Sequence, residues 1–469
     1  MKIRGFQVLA VLAAVLFTAG CASDTGDLVY KTEAELAEME KQNETAHEMF
    51  LQHNFSGAAN VLQVLTKERT VSRPLYQMEL LSVLLMNNQH KEAHDLMLNL
   101  HEDLETLFDT KLEEKAQSIW HGEINKVFKG DAYERSTFYA LMALSFIREQ
   151  KYEDAVRCVK NGLLADADSN KDDAVDDYAL LHYLGYLASK KMNNTADASE
   201  YWRGMHAALA LRGVVLQDKD GKVINDTCFD QLQQRNPNVL LVIWAGMPPT
   251  VVCTGEYNEI RSIIRGINHF DAMTIAVGNS QDIYMPNNLG DIDYQATSRG
   301  GRLMDNVLAD KAAAKKAMEV SRNVFLIAGS GLIIAGSRSM GAPMVGLSLM
   351  GAGAGCYLLG GTAWIVGAMM NPSADGRYWH NLPGQLYIVP LELSPGEHEV
   401  RISGFYRSDR AANTVFKVQV PDSSSMNIIH LPMMRQGTEA FQNAVQKINE
   451  ERTAIISRAA DQRMAKEIK

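Results

Sequence analysis

Between residues 28 and 210 the chain carries one proline, Pro74, and its apolar residues recur at three- and four-residue spacing, the period of a helix with a buried stripe. This part is therefore expected to be all-α. Within it a helix-turn-helix pattern recurs, with a small residue near the start of the second helix: Asn54 to Ala58, Gln89 to Ala93, Lys151 to Ala155 and Asn194 to Ala198. The intervals between those alanines are 35, 62 and 43 residues, which describes a degenerate array with an insertion around residues 100 to 130. Small residues let two helices approach closely, and stacked pairs bury a continuous core while curving into a concave surface suited to a peptide or protein partner. A helical bundle that uses the same alanines only for packing is the alternative.

After Arg212 the pattern changes. Val214–Gln217 and Val223–Ile224 flank an Asp220-Gly221 turn and read as a hairpin. Val239–Trp244 is an unbroken apolar run between Pro237 and Gly246, the pattern of a central strand. Thr274–Val277 is a further strand, and residues 294–317 turn helical, so 211–322 forms a mixed α/β region. Farther on, Leu386–Leu393, Glu399–Phe405, Val415–Val420 and Asn427–Leu431 are four short strands, the first two joined through Pro395-Gly396. They predict a small antiparallel β-module over residues 371–435, followed by a polar amphipathic helix in 436–469.

Between these parts, in the segment 323–370, the run from Val324 to Met370 holds one charge, Arg338, and eleven glycines. Its apolar length exceeds the roughly 20 residues that cross a bilayer. Arg338 and its neighbours divide it into a short and a long arm, and Gly351 and Gly355 form a GxxxG pair of the kind that packs membrane helices closely. A glycine-rich apolar helical hairpin against the membrane, a hairpin buried in the fold, and a pore-forming assembly all fit the composition. The overall expectation is a multidomain α+β chain.

Lys2 and Arg4 precede an apolar run from Phe6 to Phe17 that closes on Thr18-Ala19-Gly20-Cys21, the layout of a secretory signal over residues 1–20. The closing four residues resemble a bacterial lipobox, with Thr18 where leucine is commoner. The resemblance implies cleavage before Cys21 and acylation of its sulfur and new amino group. Ala22 after the cysteine implies sorting to the outer membrane, with the body facing the periplasm. Three acyl chains at about 0.8 kcal/mol per buried CH₂ hold a protein firmly, where one chain binds only marginally. In that oxidising compartment Cys228 and Cys253, on either side of the Val239–Trp244 strand, could pair. Both being small buried hydrophobes is the alternative. The net charge is −10, which argues against nucleic acid as a partner.

The glycine-rich segment leads into Asp375, Arg377, Trp379, Leu382 and Pro383, a D-x-R-x-W-x-x-L-P pattern, followed by Leu393, Pro395, Gly396, His398 and Val400, an L-x-P-G-x-H-x-V pattern. These motifs are similar to those of a family of Gram-negative outer-membrane lipoproteins with tetratricopeptide-like N-terminal halves and no assigned activity. The resemblance implies cell-envelope biology and carries over no catalytic residue. Physically, the Arg377 fork can bond the Asp375 carboxylate and stack on the Trp379 indole, fixing the chain where it enters the β-module; a ligand cluster is the sharper reading. His398 is expected to bond backbone at its turn, and His182 to be a satisfied core histidine.

Residue patterns for chemistry are sparse. HExxH, P-loop and GxSxG sequences are absent, and the glycine-alanine run at 351–355 follows no strand. Asp166, Asp168, Asn170, Asp172 and Asp177 faintly resemble a calcium loop, but Lys171 stands at the turn-glycine position and Asp177 at the bidentate-glutamate position. No catalytic residue, cofactor or metal is expected. The sequence points to a non-enzymatic scaffold held to lipid through Cys21, and through residues 324–370 if these contact the membrane, with an envelope protein on its helical repeats. A glycan-binding accessory using Tyr378 and Trp379, an export-complex subunit or an unrecognised enzyme are the competing readings.

Overall fold

The computed structural model describes residues 31–108, 126–167, 177–214, 236–266, 272–298 and 373–433, apart from short gaps, together with residues 29, 232 and 270. Residues 1–20, Cys21, the 214–224 hairpin beyond Val214, Cys228, the 323–370 segment up to Asn371, most of the 294–317 helix and residues 436–469 lie outside the described residues. Within them the fold is mixed α+β, with nine helices and ten strands.

The helices come in pairs: α1 (Glu33–Leu51) with α2 (Phe55–Leu65), α3 (Arg73–Met86) with α4 (His90–Phe108), α5 (Ala132–Arg148) with α6 (Tyr152–Ala167), and α7 (Ala179–Lys191) with α8 (Thr195–Leu211). The four turns share one geometry. Each first helix ends on a residue in the left-handed region, His53, Asn88, Gln150 or Asn193, with φ between 58° and 60°. The next amide then bonds the carbonyl five residues back, Asn54 to Met49, Gln89 to Leu84, Lys151 to Phe146 and Asn194 to Ser189, each at 2.9 Å. This is the reverse-turn closure that satisfies a helix's last carbonyls. The carbonyl of that same residue starts the second helix by accepting from Ala58, Ala93, Ala155 or Ala198. All four alanines are buried.

The helix starts are equally local. Thr32 and Glu35 form a reciprocal capping box on α1, and the side chains of Asn54 and Asn194 cap α2 and α8. Pro74 occupies the first turn of α3, where its missing N–H costs nothing. Successive pairs abut, α2 on α3, α4 on α5 and α6 on α7. Gly162 marks a close approach of α6 to α7, since a Cβ there would sit 2.7 Å from the Leu181 side chain and 3.1 Å from that of Tyr139.

Burial separates the two helix sets. α3, α5 and α7 are buried almost all round, whereas α2, α6 and α8 bury one stripe each. A helix covered on every side lies inside the molecule, so something must cover the inner set. The cover is a β-body of the same chain. One sheet has the order β10-β1-β7-β6 and the other β5-β4-β8-β9, while β2 (Thr250–Thr254) and β3 (Ile260–Ile264) form a separate hairpin. The strands are β1 (Val239–Ala245), β4 (Ala272–Val277), β5 (Ile283–Tyr284), β6 (Asn287–Asp291), β7 (Gln385–Leu391), β8 (Gly396–Tyr406), β9 (Asp409–Val420) and β10 (Asn427–Met433), and the short α9 (Ile292–Ser298) follows β6.

Alternation along β1 divides the core. Leu240, Val242 and Trp244 join the helical core with Leu386, Ile388 and Ile428, while Val239, Leu241, Ile243 and Ala245 face the second sheet with Val389, Val400, Ile402 and Val418. The molecule thus layers helices, sheet and sheet.

This arrangement corrects the division into a 211–322 region and a separate 371–435 module. β7 and β10 flank β1, the latter in parallel, and β8 pairs with β4, so the two segments build both sheets jointly. The reason is that β1 is buried on both faces and needs a partner on each edge, and these are supplied by strands at least 140 residues away.

Candidate functional site

Residues 373–383 run as a strap without helix or regular strand from β3 toward β7, along the inner helices. The sequence-predicted cluster lies here, buried throughout: Asp375 and Arg377 are 6% and 5% exposed and Trp379 is fully buried.

Arg377 makes the expected bidentate pair. Its Nε and Nη2 donate to the Asp375 carboxylate at 2.9 and 2.8 Å, and its own backbone N–H donates to the same group at 2.9 Å. The rest of the fork is spent on the helical array. Nη1 donates to the Ser72 hydroxyl at 3.0 Å and to the Val71 carbonyl at 3.3 Å, and Nη2 to the Lys126 carbonyl at 2.8 Å. The expected stacking on Trp379 is replaced: the guanidinium lies over the Phe128 ring, 5.5 Å from its centroid. The Trp379 side chain instead inserts among the helices, its Nε1 donating to the Ser82 hydroxyl of α3 at 3.0 Å. An indole so enclosed offers no surface for a ligand to stack on.

Two buried glutamates hold the strap's backbone. Glu79, in the middle of α3 and with no exposed surface, accepts the His380 N–H at 2.6 Å and the His380 Nδ1 at 2.9 Å on one oxygen, and the Asn381 N–H at 2.8 Å on the other. Glu134, at the third position of α5, accepts the Trp379 N–H at 2.5 Å and the Asp131 N–H at 2.6 Å. Burial and the adjacent Asp131 carboxylate push Glu134 up to about 8, against the pull of those two amides and of Arg261. Arg261 of β3 closes the ring of contacts, donating to the Asp131 carboxylate and, through Nε, to the Asp375 carbonyl at 3.0 Å. At the far end His47 of α1 bonds the Asn381 side chain at 2.8 Å, and its ring stands 5.6 Å from that of His380.

The chemistry of this arrangement is recognition of an extended backbone. Carboxylates on neighbouring inner helices accept successive amides, a pocket takes an aromatic side chain, and carbonyls of the segments leading into α3 and α5 hold an arginine. The ligand reading of Asp375, Arg377 and Trp379 is thereby narrowed, since their polar groups are directed at the chain itself. The inner helices, expected to offer a partner a concave face, are covered by the protein's own strap and first sheet, because their apolar surface needs that cover. Sequence reasoning missed Glu79, Glu134, Arg261, Phe128 and His47. One signal was present: Glu79 is the single carboxylate in RPLYQMELLSVLLM, an otherwise apolar helix.

The remaining residues fall as follows. Cys253 lies half-buried on β2 with its Sγ 3.9 Å from the Ala374 carbonyl, and Cys228 lies outside the described residues. His398 bonds the Ser394 carbonyl at 2.7 Å across its turn, and His182 is buried against Tyr201. Asp166 accepts the Asp177 N–H at 3.1 Å, and the Asp177 carboxylate accepts from Tyr294 and Gln295 around α9, so both act as joints within the protein. Among the described residues no group of three His, Cys, Asp or Glu is placed to hold a metal ion, and no helix is long and apolar enough to cross a membrane. No family model, no curated protein and no solved structure matches this chain.

Proposed function

We propose that the chain is a non-enzymatic lipoprotein, anchored through acylated Cys21 in the outer membrane and facing the periplasm, that serves as a protein-binding scaffold in cell-envelope assembly or maintenance. In this reading residues 28–210 are a tetratricopeptide-like solenoid, residues 324–370 form the glycine-rich hairpin that lies toward lipid, and the chain belongs with the envelope lipoproteins its motifs resemble. The observation that carries it is the fourfold repetition of one interhelix turn, since identical turns on stacked pairs are how helical-repeat scaffolds are built.

Because the inner helices are covered, the partner surface is the outer set, α2, α4, α6 and α8. Val64, Leu98, Leu164 and Leu211 place one exposed aliphatic side chain on each of them. The lipid anchor is tested by metabolic labelling with a palmitate analogue: the wild-type chain is labelled and Cys21→Ser is not. An unlabelled wild-type product overturns the anchor. Crosslinking with mass spectrometry in the native envelope tests the scaffold, which predicts links to a second protein from Lys91 of α4 and Lys160 of α6. Links confined to other parts of the chain exclude these helices as the docking face.

A further inference from the structure

We propose that His380 and His47 form a proton-controlled latch where the strap enters the helical array: the strap is seated while His380 carries a proton and His47 does not, and it loosens when either changes state. The geometry sets this up. Glu79 is wholly buried in α3, and the His380 ring and backbone both donate to one of its oxygens. A positive ring at that place balances a carboxylate that water does not reach, and a neutral one leaves it uncompensated. Two residues of the strap thus hang on the charge state of one imidazole, because the Asn381 amide uses the other Glu79 oxygen.

His47 supplies the opposite sensitivity. With Nδ1 on the Asn381 side chain, it is neutral only while Nε2 is unprotonated, and a second positive ring would stand 5.6 Å from the first. The groups facing the two rings bias them in these directions. From α1 come Glu40, His47 and Glu48, from α3 Glu79, from α5 Glu134, and from the strap itself Tyr378, whose ring is 4.1 Å from that of His380, while Glu44 and Arg377 act on Glu40 behind them. Arg377 is committed to Asp375 and does not replace His380 as the partner of Glu79. Burial disfavours charge on His380, but Glu79, with Glu40 and Glu134 behind it, outweighs that and raises its pKa. Burial first and the nearby His380 second lower that of His47.

A histidine raised above its ordinary 6.5 contributes stability that is present below 6.5 and lost as pH climbs through its folded value. A histidine lowered below 6.5 contributes stability that is present above 6.5 and lost as pH falls through its folded value. The two histidines together hold the strap best around neutrality, with His47 giving an acid arm and His380 an alkaline arm that adds to the loss from Glu134, whose raised value of about 8 costs stability as pH climbs above its ordinary 4.5.

The test is amide hydrogen exchange of the full chain between about pH 5 and 9, with rates corrected for the intrinsic dependence on pH, following peptides that span 374–386 against α7 as reference. In the difference between the wild type and each variant, which cancels the Glu134 slope common to both, strap protection is expected to change across each histidine's arm by up to about tenfold per pH unit relative to α7. His380→Gln, which can still donate to Glu79 but does not titrate, removes the His380 share of the alkaline arm and leaves that of Glu134; His47→Gln removes the acid arm. Retention of the wild-type profile by either variant, or strap protection that tracks α7 at every pH, overturns the latch. Should a variant fail to fold, ring-labelled histidine NMR of the wild-type chain decides: one of these two rings titrates above 6.5 and the other below, each where strap protection breaks. Titration of either ring away from its arm overturns the proposal equally.

Discussion

The four interhelix turns and the strap are both built from polar groups meeting backbone, yet they differ in reach. Each turn closes on carbonyls three to five residues away and repeats the same bonds four times. The strap closes on partners up to 334 residues away and occurs once. A turn is a local solution that any neighbouring hairpin can reuse. The strap is a single joint between layers, and its polar residues are buried where water cannot substitute for a lost partner. Disturbing the strap should therefore cost far more than disturbing a turn, even though fewer residues are involved.

The largest effect is expected at Arg377. Replacing it by Met removes the bidentate partner of buried Asp375 and withdraws donors from Val71, Ser72 and Lys126. Leaving one member of a buried pair uncompensated costs about 3–5 kcal/mol. Arg377→Lys should restore little, because an ammonium cannot serve Asp375 and the Val71 and Lys126 carbonyls together. Urea denaturation followed by circular dichroism measures both. A loss under about 1 kcal/mol for Arg377→Met, the level of an exposed ion pair, would erase the contrast between strap and turn.

That contrast also governs how far the sequence was legible. The helical half, its small residues at 58, 93, 155 and 198 and the central strand Val239–Trp244 are visible because they rest on periodicity and turn chemistry within a few residues. The pairing of Asp375 with Arg377 was visible for the same reason, being two residues apart. Glu79, Glu134 and Phe128 were not, since nothing local to the strap announces which helices will face it. The split into two β regions failed for the related reason that β1 takes both neighbours from the far end of the chain, one of them in parallel. Residues 324–370 are the apolar anomaly of the sequence, and of the joint that follows them the Asp375, Arg377 and Trp379 motif could be read but not the helices that it meets.

A second joint of the same nonlocal kind sharpens the comparison through pH. His430 of β10 accepts the Trp244 indole N–H at 3.0 Å on the sheet face packed toward α3 and α5, and the His90 ring lies 6.1 Å away. Burial, with smaller contributions from His90 and Arg148, lowers His430 to about 3, and burial lowers His90 to about 4. Both folded values lie below the ordinary 6.5, so their contribution is complete above 6.5 and is lost as pH falls toward 4 and then 3. His430→Gln keeps an acceptor for Trp244 without a titrating ring. Its thermal midpoint should fall less steeply than that of the wild type between about pH 6 and 4, and parallel curves would show that this joint does not titrate with unfolding.

The smallest effect belongs to the turns, and its sign is reversed. Gln150 sits at φ 60°, a conformation that costs a side-chain-bearing residue about 1–2 kcal/mol and costs glycine nothing. Gln150→Gly should remove that strain and give back part of it, about 0.5–1 kcal/mol, through the greater freedom of glycine in the unfolded chain. The net expectation is a stabilisation of about 0.5 kcal/mol, read as a small rise in the urea midpoint with an unchanged slope. The same change at Asn88 or Asn193 should gain less, because asparagine tolerates the left-handed region better than glutamine does. If Gln150→Gly destabilised the protein, the glutamine side chain would have to be holding the turn itself, and the four turns would no longer be interchangeable copies of one backbone solution.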